Sequence, residues 1–280
     1  MLSYRHAYHA GNFADTLKHL TIIAILRHLC KKSGPLHYVD THAGAGRYDL
    51  QDAKALKTHE FNEGIGKLWG RQDLPPLLDD YLQVVARLNP SNNLHYYPGS
   101  PWFAAHCLRD QDKLALCELH PTDFPLLREV FRGDMRVRCF HEDGYQRSLA
   151  LMPPPTKRGL VVIDPSYEVK TEYQTVVNHL QALHKRFATG VFALWYPVVD
   201  AGRLQQLEYS LRQTGIKRIQ LFEFGLTGNH DLPGMGSAGM VVINPPWTLR
   251  EQLESTMQWL INAAYPDSDA YWRYLEIAGE

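Results

Sequence analysis

The sequence predicts an α/β protein built on a mostly parallel sheet of seven strands, the last of them antiparallel, with a small helical insertion. Two observations carry that reading. Short apolar runs recur at residues 36–40, 114–118, 137–140, 160–164, 191–195, 218–224 and 240–244, and helix-like stretches at 101–109, 121–131, 173–186 and 201–213 separate most of them. Strands alternating with helices call for a parallel sheet covered on both faces. Between Phe224 and Met240 there is only a glycine-rich loop running through Gly225 and Gly228 to Gly239. It leaves no room for a crossover helix, so the last two strands must pair antiparallel.

The first helix is signalled by Asn12 and Asp15, spaced as a capping box, and runs from about 13 to 31, with Ile22, Ile25, Leu26 and Leu29 as its apolar face. Ser33-Gly34-Pro35 stops it ahead of the first strand. Residues 47–97 break the alternation: Leu77, Leu78, Tyr81, Leu82, Val85 and Leu88 have helical spacing, and prolines at 75, 76 and 90 mark turns. They read as a helical insertion subdomain within a sheet domain formed by 1–46 and 98–280.

The bulk composition excludes several classes. A hydrophobic content of 45% and mean hydropathy of −0.32 suit a globular chain, and no apolar run approaches a membrane span. The first residues lack the apolar core of an export signal. Cys30, Cys107, Cys117 and Cys139 are scattered with no C-x-x-C pair, so they read as reduced thiols of a cytoplasmic protein. His6, His9 and His19 match no zinc spacing, and no metal is expected. A net charge of −1 does not announce a nucleic-acid binder. Its distribution is uneven, however. Residues 1–32 hold Arg5, Lys18, Arg27, Lys31 and Lys32 against Asp15 alone, a net +4, so a polyanion is expected against the amino-terminal segment.

The chemistry-bearing residues fall at strand ends. The apolar run Gly159-Leu160-Val161-Val162-Ile163 delivers Asp164, Pro165 and Tyr167 to its carboxyl edge. A carboxylate and a free carbonyl accept the two hydrogens of an exocyclic amine while an aromatic ring stacks on the heterocycle that bears it. Asn244-Pro245-Pro246-Trp247 is a second candidate of this kind, and in wording the closer match to an [Asp/Asn]-Pro-Pro-aromatic signature. Chain order favours Asp164, at the end of the fourth strand. Gly44-Ala45-Gly46 follows the first strand, where glycine lets a ligand approach the backbone, although a lone G-x-G is also an ordinary tight turn. Asp49 stands where a dinucleotide fingerprint needs glycine or alanine. Glu118 ends the second strand and suits ribose hydroxyls or simple solvation. Asp143-Gly144 follows the third and suits an adenine edge or a plain turn. Ser100-Pro101 is equally a helix start. Their succession along one sheet edge gives them weight together.

A doubly wound sheet closed by an antiparallel strand resembles class I S-adenosylmethionine-dependent methyltransferases. The whole chain further resembles the RlmJ family of bacterial enzymes that form N6-methyladenosine in 23S ribosomal RNA. The resemblance rests on the opening Leu2-Ser3-Tyr4-Arg5-His6-Ala7-Tyr8-His9-Ala10-Gly11-Asn12, on Asp40-Thr41-His42-Ala43-Gly44-Ala45-Gly46-Arg47-Tyr48, on Tyr97-Pro98-Gly99-Ser100-Pro101, on Glu118-Leu119-His120-Pro121 and on Leu194-Trp195-Tyr196-Pro197-Val198. It implies S-adenosylmethionine as cofactor, held at His19, His42, Ser100, Glu118, Asp143, Gly144 and Asp164, with Asp164 catalytic and Tyr4 touching RNA. Arg5, His6 and Lys18 join Tyr4 as expected RNA contacts, because an aromatic plane beside cations suits looped RNA. The family's Asp-Pro-Pro-Tyr is here Asp-Pro-Ser-Tyr: Ser166 loosens the backbone but leaves the carboxylate, the Pro165 carbonyl and the ring. A monomer acting on free or partly assembled RNA is the expectation. A methyl acceptor in DNA or on a protein glutamine is one alternative; a non-catalytic RNA-binding module on a decayed fold is another.

Overall fold

The computed structural model describes residues 4–169, 171–227 and 235–279 of the chain. Leu2 and Ser3 of the opening motif, and Gly228 of the loop after the sixth expected strand, lie outside the described residues. Helix α1 (Phe13–Cys30) leads into strand β1 (His37–Asp40). After β1 come β2 (Arg47–Asp49), the helices α2 (Ala55–Thr58), α3 (Ile65–Leu68) and α4 (Pro76–Leu88), and β3 (Tyr96–Pro98). Then α5 (Ser100–Cys107), β4 (Lys113–Cys117), α6 (Asp123–Val130), β5 (Val137–Phe140), α7 (Gly144–Leu151) and β6 (Gly159–Ile163) alternate. The chain continues through α8 (Glu172–Arg186), β7 (Val191–Val198), α9 (Ala201–Gln213), β8 (Ile219–Gly225), β9 (Ser237–Ile243), α10 (Leu249–Trp259) and β10 (Tyr271–Ala278).

The main sheet has the order β10-β8-β9-β7-β6-β1-β4-β5. All seven expected strands are in it, and β9 runs antiparallel to both β7 and β8. The expectation of seven strands is corrected to eight: β10 adds an antiparallel edge beside β8. Its alternation of aromatic and charged residues, Tyr271-Trp272-Arg273-Tyr274, fits a strand with one neighbour and is not the continuous apolar run of a central strand. Helices α7 and α10 were likewise not anticipated. The chain moves outward from β1 through β4 to β5, then returns to β6 on the other side of β1. That reversal opens a crevice beyond the carboxyl ends of β1 and β6, the place where open α/β sheets receive ligands.

Helix α1 begins as its sequence signals, with one difference. The Asn12 side chain accepts from the Asp15 N–H at 3.0 Å, but the Asp15 carboxylate reaches past Asn12 to the Gly11 N–H at 2.8 Å. Its burial is also different from a single apolar face: every residue from Phe13 to Leu26 is buried. Strands β8 and β9 pack on one side, and α4, α5 and α10 enclose the others. Asp15, Lys18 and His19 are therefore interior polar groups, which must be paired to be tolerated. Residues 47–97 are helical as expected, with β2 and β3 pairing at the stem. Their buried side chains, including Leu50, Ile65, Leu78 and Tyr81, join the same core as those of α1.

Candidate active site

A cavity of about 240 Å³ lies over the carboxyl edge of β1 and β6. It is lined by His19, His42, Gly44, Ser100, Glu118, Asp143, Gly144 and Asp164, all expected on the cofactor. Gly46, the remaining one, stands behind the wall with φ of +74°, its carbonyl accepting from the Gly99 N–H at 2.9 Å.

The floor is set by Asp40, which is fully buried at the end of β1. Its Oδ2 accepts from the Tyr38 hydroxyl at 2.8 Å and the Ser100 hydroxyl at 2.7 Å. Burial pushes its carboxyl up to about 6, against the pull of those two hydrogen bonds. Ser100 is thus not a cap: Gly99 holds the cap position of α5, and the serine hydroxyl braces the β1 loop. The turn after β1 puts Gly44 at φ of +61°, and a Cβ there would meet the Tyr48 hydroxyl at 2.1 Å. Its N–H donates to Glu118 Oε2 at 2.7 Å, while Glu118 Oε1 accepts from the His120 N–H at 2.6 Å. Burial raises the Glu118 carboxyl. Replacing Glu118 with alanine is expected to raise the S-adenosylmethionine Kd about ten- to a hundredfold, the value of one charge-assisted hydrogen bond. Titration calorimetry on the folded variant giving the wild-type Kd removes Glu118 from the site.

Two imidazoles complete the walls. His42 Nδ1 is 2.8 Å from the Thr41 hydroxyl, and burial lowers it to about 4, so it is neutral at pH 7. His19 Nδ1 is 2.8 Å from the Tyr97 hydroxyl and its ring stacks on Phe103 at 4.4 Å. Burial holds it well below the ordinary range. Its Nε2 is buried with no partner among the described residues, an orphaned polar atom on the cavity wall. Such an atom calls for a ligand to satisfy it. Asp143 caps α7, its Oδ1 accepting from the Tyr145 and Gln146 N–H groups at 2.8 and 3.2 Å. Asp143 is thus a helix cap, and it and Gly144 also line the cavity. A Cβ on Gly144 would sit 1.9 Å from the Thr41 carbonyl oxygen, so only glycine lets α7 approach the β1 loop this closely.

A second chamber of about 770 Å³ adjoins the first and shares Tyr4, His6, Lys18, Asp164 and Ser166 with it. Asp164 therefore stands at the partition. Tyr167, in the left-handed region at φ of +53°, donates its hydroxyl to the Trp195 carbonyl at 2.8 Å. Its ring meets Tyr173 at 4.7 Å and Trp195 edge-on, giving the chamber an aromatic wall. Holding a tyrosine there costs about 1–2 kcal/mol. Pro165 lines the first cavity.

The start of the amino-terminal segment lines both chambers, but Arg5 and Lys18 are already paired. Lys18, expected to face RNA, is buried with its Nζ between Asp15 Oδ1 at 2.8 Å and Asp164 Oδ2 at 2.7 Å. Burial works to lower its pKa, and the two carboxylates overcome this and hold it well above the ordinary lysine value. Asp15, whose burial opposes ionisation, is held well below the carboxylate range by His6 and Lys18. His6 Nε2 is 2.9 Å from Asp15 Oδ2, and its Nδ1 is 3.0 Å from the Tyr4 hydroxyl. Arg5 pairs with Asp123 at 3.0 Å. His9 turns to Glu60 at 2.8 Å, so the three amino-terminal imidazoles engage separate partners. From sequence Asp15 was read only as a capping residue and Asp40 only as part of a family motif; the i,i+3 spacing of Asp15 and Lys18 was the available signal for their pairing.

The rival motif is elsewhere. Because β9 is antiparallel, Ile243 pairs with Phe192 near the start of β7, and Asn244 leaves the sheet at the opposite edge. Its side-chain amide donates to the Ala188 and Gly190 carbonyls, both at 2.8 Å.

A sheet reversing direction beside β1, with one antiparallel strand inserted between β7 and β8 and a cavity over the β1 and β6 ends, defines a class I S-adenosylmethionine-dependent methyltransferase. A family model described as "Ribosomal RNA large subunit methyltransferase D, RlmJ" matches residues 33–274, and the chain belongs to this family. It is 48% identical over 95% of both chains to the ribosomal RNA large subunit methyltransferase J of Escherichia coli (strain K12). Its identity to the Haemophilus influenzae protein of the same name is 44%, over 97% of both. The crystal structure of a Legionella pneumophila str. Philadelphia 1 protein, 39% identical, superposes with a TM-score of 0.88 over 96% of this chain and 98% of the other.

Proposed function

We propose that this protein methylates the N6 amine of an adenine in 23S ribosomal RNA. The observation that carries the reading is Asp164 at the partition between a cavity fit for S-adenosylmethionine and a chamber walled by aromatic rings. The orphaned His19 Nε2 on the cavity wall supports the fit of the cofactor, with His42, Gly44, Ser100, Glu118, Asp143 and Gly144 around it. When bound, S-adenosylmethionine supplies an electrophilic methyl group on a sulfonium.

The protein's part is to make a poor nucleophile competent. An adenine amine delocalises its lone pair into the ring. Lys18 occupies Asp164 Oδ2, so Oδ1 is the oxygen left to accept one amine hydrogen, and the Pro165 carbonyl accepts the other. Both bonds favour a pyramidal nitrogen with its lone pair directed at the methyl group. After transfer the product nitrogen is cationic, and its excess proton is released to Asp164 Oδ1 without a strong base. The base must leave its stack to enter, and Tyr167 and Trp195 replace lost stacking on the aromatic wall.

Mapping N6-methyladenosine in 23S RNA from cells with and without the gene tests the reading: one site is expected to vanish with the gene, and an unchanged map refutes it. Tyr4 tests the RNA side. Its hydroxyl is tied to His6 and its ring lies flat against His9 at 5.7 Å, over the mouth of both chambers. Tyr4→Ala is expected to lower kcat/KM for a large-subunit RNA fragment at least about tenfold by loss of one stacking contact. Cofactor Kd and Tm should stay near wild type. Equal methylation by both proteins at subsaturating RNA would reduce the segment to packing.

A further inference from the structure

Close to the chambers the cations of the amino-terminal segment are already paired, and the exposed Arg47 and Lys57 nearby lie over the rings of Tyr96 and Tyr8. Arg5, His6 and Lys18 are each taken up by carboxylates there. At the opposite edge, where the parallel strands begin, the pattern inverts. Registers pair His37 with Lys113 and Gly159, Leu160 with Val191, and Ile243 with Phe192 and Ile219, so these ends of β4, β1, β6, β7, β9 and β8 lie within about two residues of one level. The segments entering these strands carry Lys32, Lys157, Lys185, Lys217 and Arg218, all exposed. None has a carboxylate within 4.0 Å among the described residues. The nearby Asp112 and Asp134 are already held by Arg109 and Arg136.

Helix C-termini also gather at this edge and favour cations, which accounts for Lys32 and Lys185. It does not account for Lys113, Lys157, Lys217 or Arg218, which lead into strands. Six strands at their usual spacing make the row about 24 Å long. Past the end of β9 stands Trp247, 80% exposed and edge-on to His28, two residues beyond Pro245, whose carbonyl accepts from the Arg218 guanidinium at 3.4 Å. A row of unpaired cations ending in an exposed indole matches a phosphate backbone with a base free to stack.

We propose that the strand-entry edge is a second RNA-contact face, which holds a segment flanking the target adenine while the catalytic edge holds the adenine itself. This rests on the ribosomal RNA reading above. It explains how a chain of net charge −1, with Arg5 and Lys18 paired to carboxylates beside the chambers, retains a large RNA: part of the binding energy sits on the edge of the sheet opposite the chemistry.

The test compares wild type with Lys32→Glu/Lys185→Glu/Lys217→Glu on two substrates, a long 23S RNA fragment and the shortest hairpin that wild type methylates. The variant is expected to bind the long fragment at least about tenfold more weakly at near-physiological salt, and the slope of log K against log salt should fall by about two to three for three lost phosphate contacts. Hairpin kcat/KM and S-adenosylmethionine Kd should be unchanged. Trp247→Ala should weaken long-fragment binding without changing the slope. Equal long-fragment affinity and slope for wild type and the triple variant overturn the second face while leaving the methyltransferase reading intact. Equal losses on both substrates also overturn it, because the effect is then not that of a separate face. Failure of wild type to methylate either RNA refutes the functional reading instead. Should the glutamate set not fold, the matching glutamine set decides by the same slope.

Discussion

Replacing Asp164 with alanine is expected to lower methyl transfer about a hundred- to a thousandfold, the cost of deleting one preorganised polar group at a transition state. Two effects combine. The amine loses its acceptor, and Lys18 keeps a buried positive charge beside an electrophilic centre with only Asp15 to balance it. Cofactor Kd should change far less, because the groups around the rest of that cavity are untouched. Asn244→Ala provides the control. That side chain serves the Ala188 and Gly190 carbonyls at the far edge, so turnover should remain near wild type. Single-turnover methylation of an RNA fragment with both variants decides the matter: an active Asp164→Ala beside an inactive Asn244→Ala would reverse the assignment.

The second large effect is on stability. Arg273 on β10 donates to Glu223 at 3.1 Å and to Glu208 at 2.7 Å, and Glu223 also accepts from the Tyr196 hydroxyl at 2.8 Å. Glu223 is 1% and Glu208 8% exposed. Arg273→Met leaves the buried Glu223 with the Tyr196 hydroxyl alone and Glu208 with only the longer Arg212 pair at 3.8 Å, which costs about 3–5 kcal/mol. For a chain of this size that is a fall in Tm of about 6–15 °C. Lysine at 273 should recover part of the loss, since it restores the charge without the fork that reaches both partners. Calorimetric scans of both variants check this. A Tm for Arg273→Met within a degree or two of wild type would mean that solvent reaches the carboxylates and the edge strand is not fastened by them.

The parallel core was legible because each central strand is a short apolar run that ends in a residue of distinct chemistry. Asp164, Glu118 and Asp143 could be placed on one edge from that alone, and the antiparallel last pair followed from loop length. What escaped notice has specific causes. Strand β10 pairs on one side only, and its charged and aromatic residues look like surface. Strands β2 and β3 are three residues each, too short to show a period. Lys18 looked like an RNA contact because lysine is rarely buried, and nothing local reveals that Asp164, far along the chain, folds back to meet it. His19, His42 and Tyr4 came from family resemblance only. A histidine whose ring nitrogen is orphaned in a wall is indistinguishable in sequence from one packed in a core.

The helix that bears Asp15, Lys18 and His19 on its first turns also fills the centre of the domain with its later ones. Ile25 and Leu26, both fully buried, lie only about 10 Å along its axis from Lys18. A rod so placed has no joint at which a change at one end can be absorbed before it arrives at the other. Side-chain exchanges near Ile25 will therefore show up as altered turnover as well as altered melting.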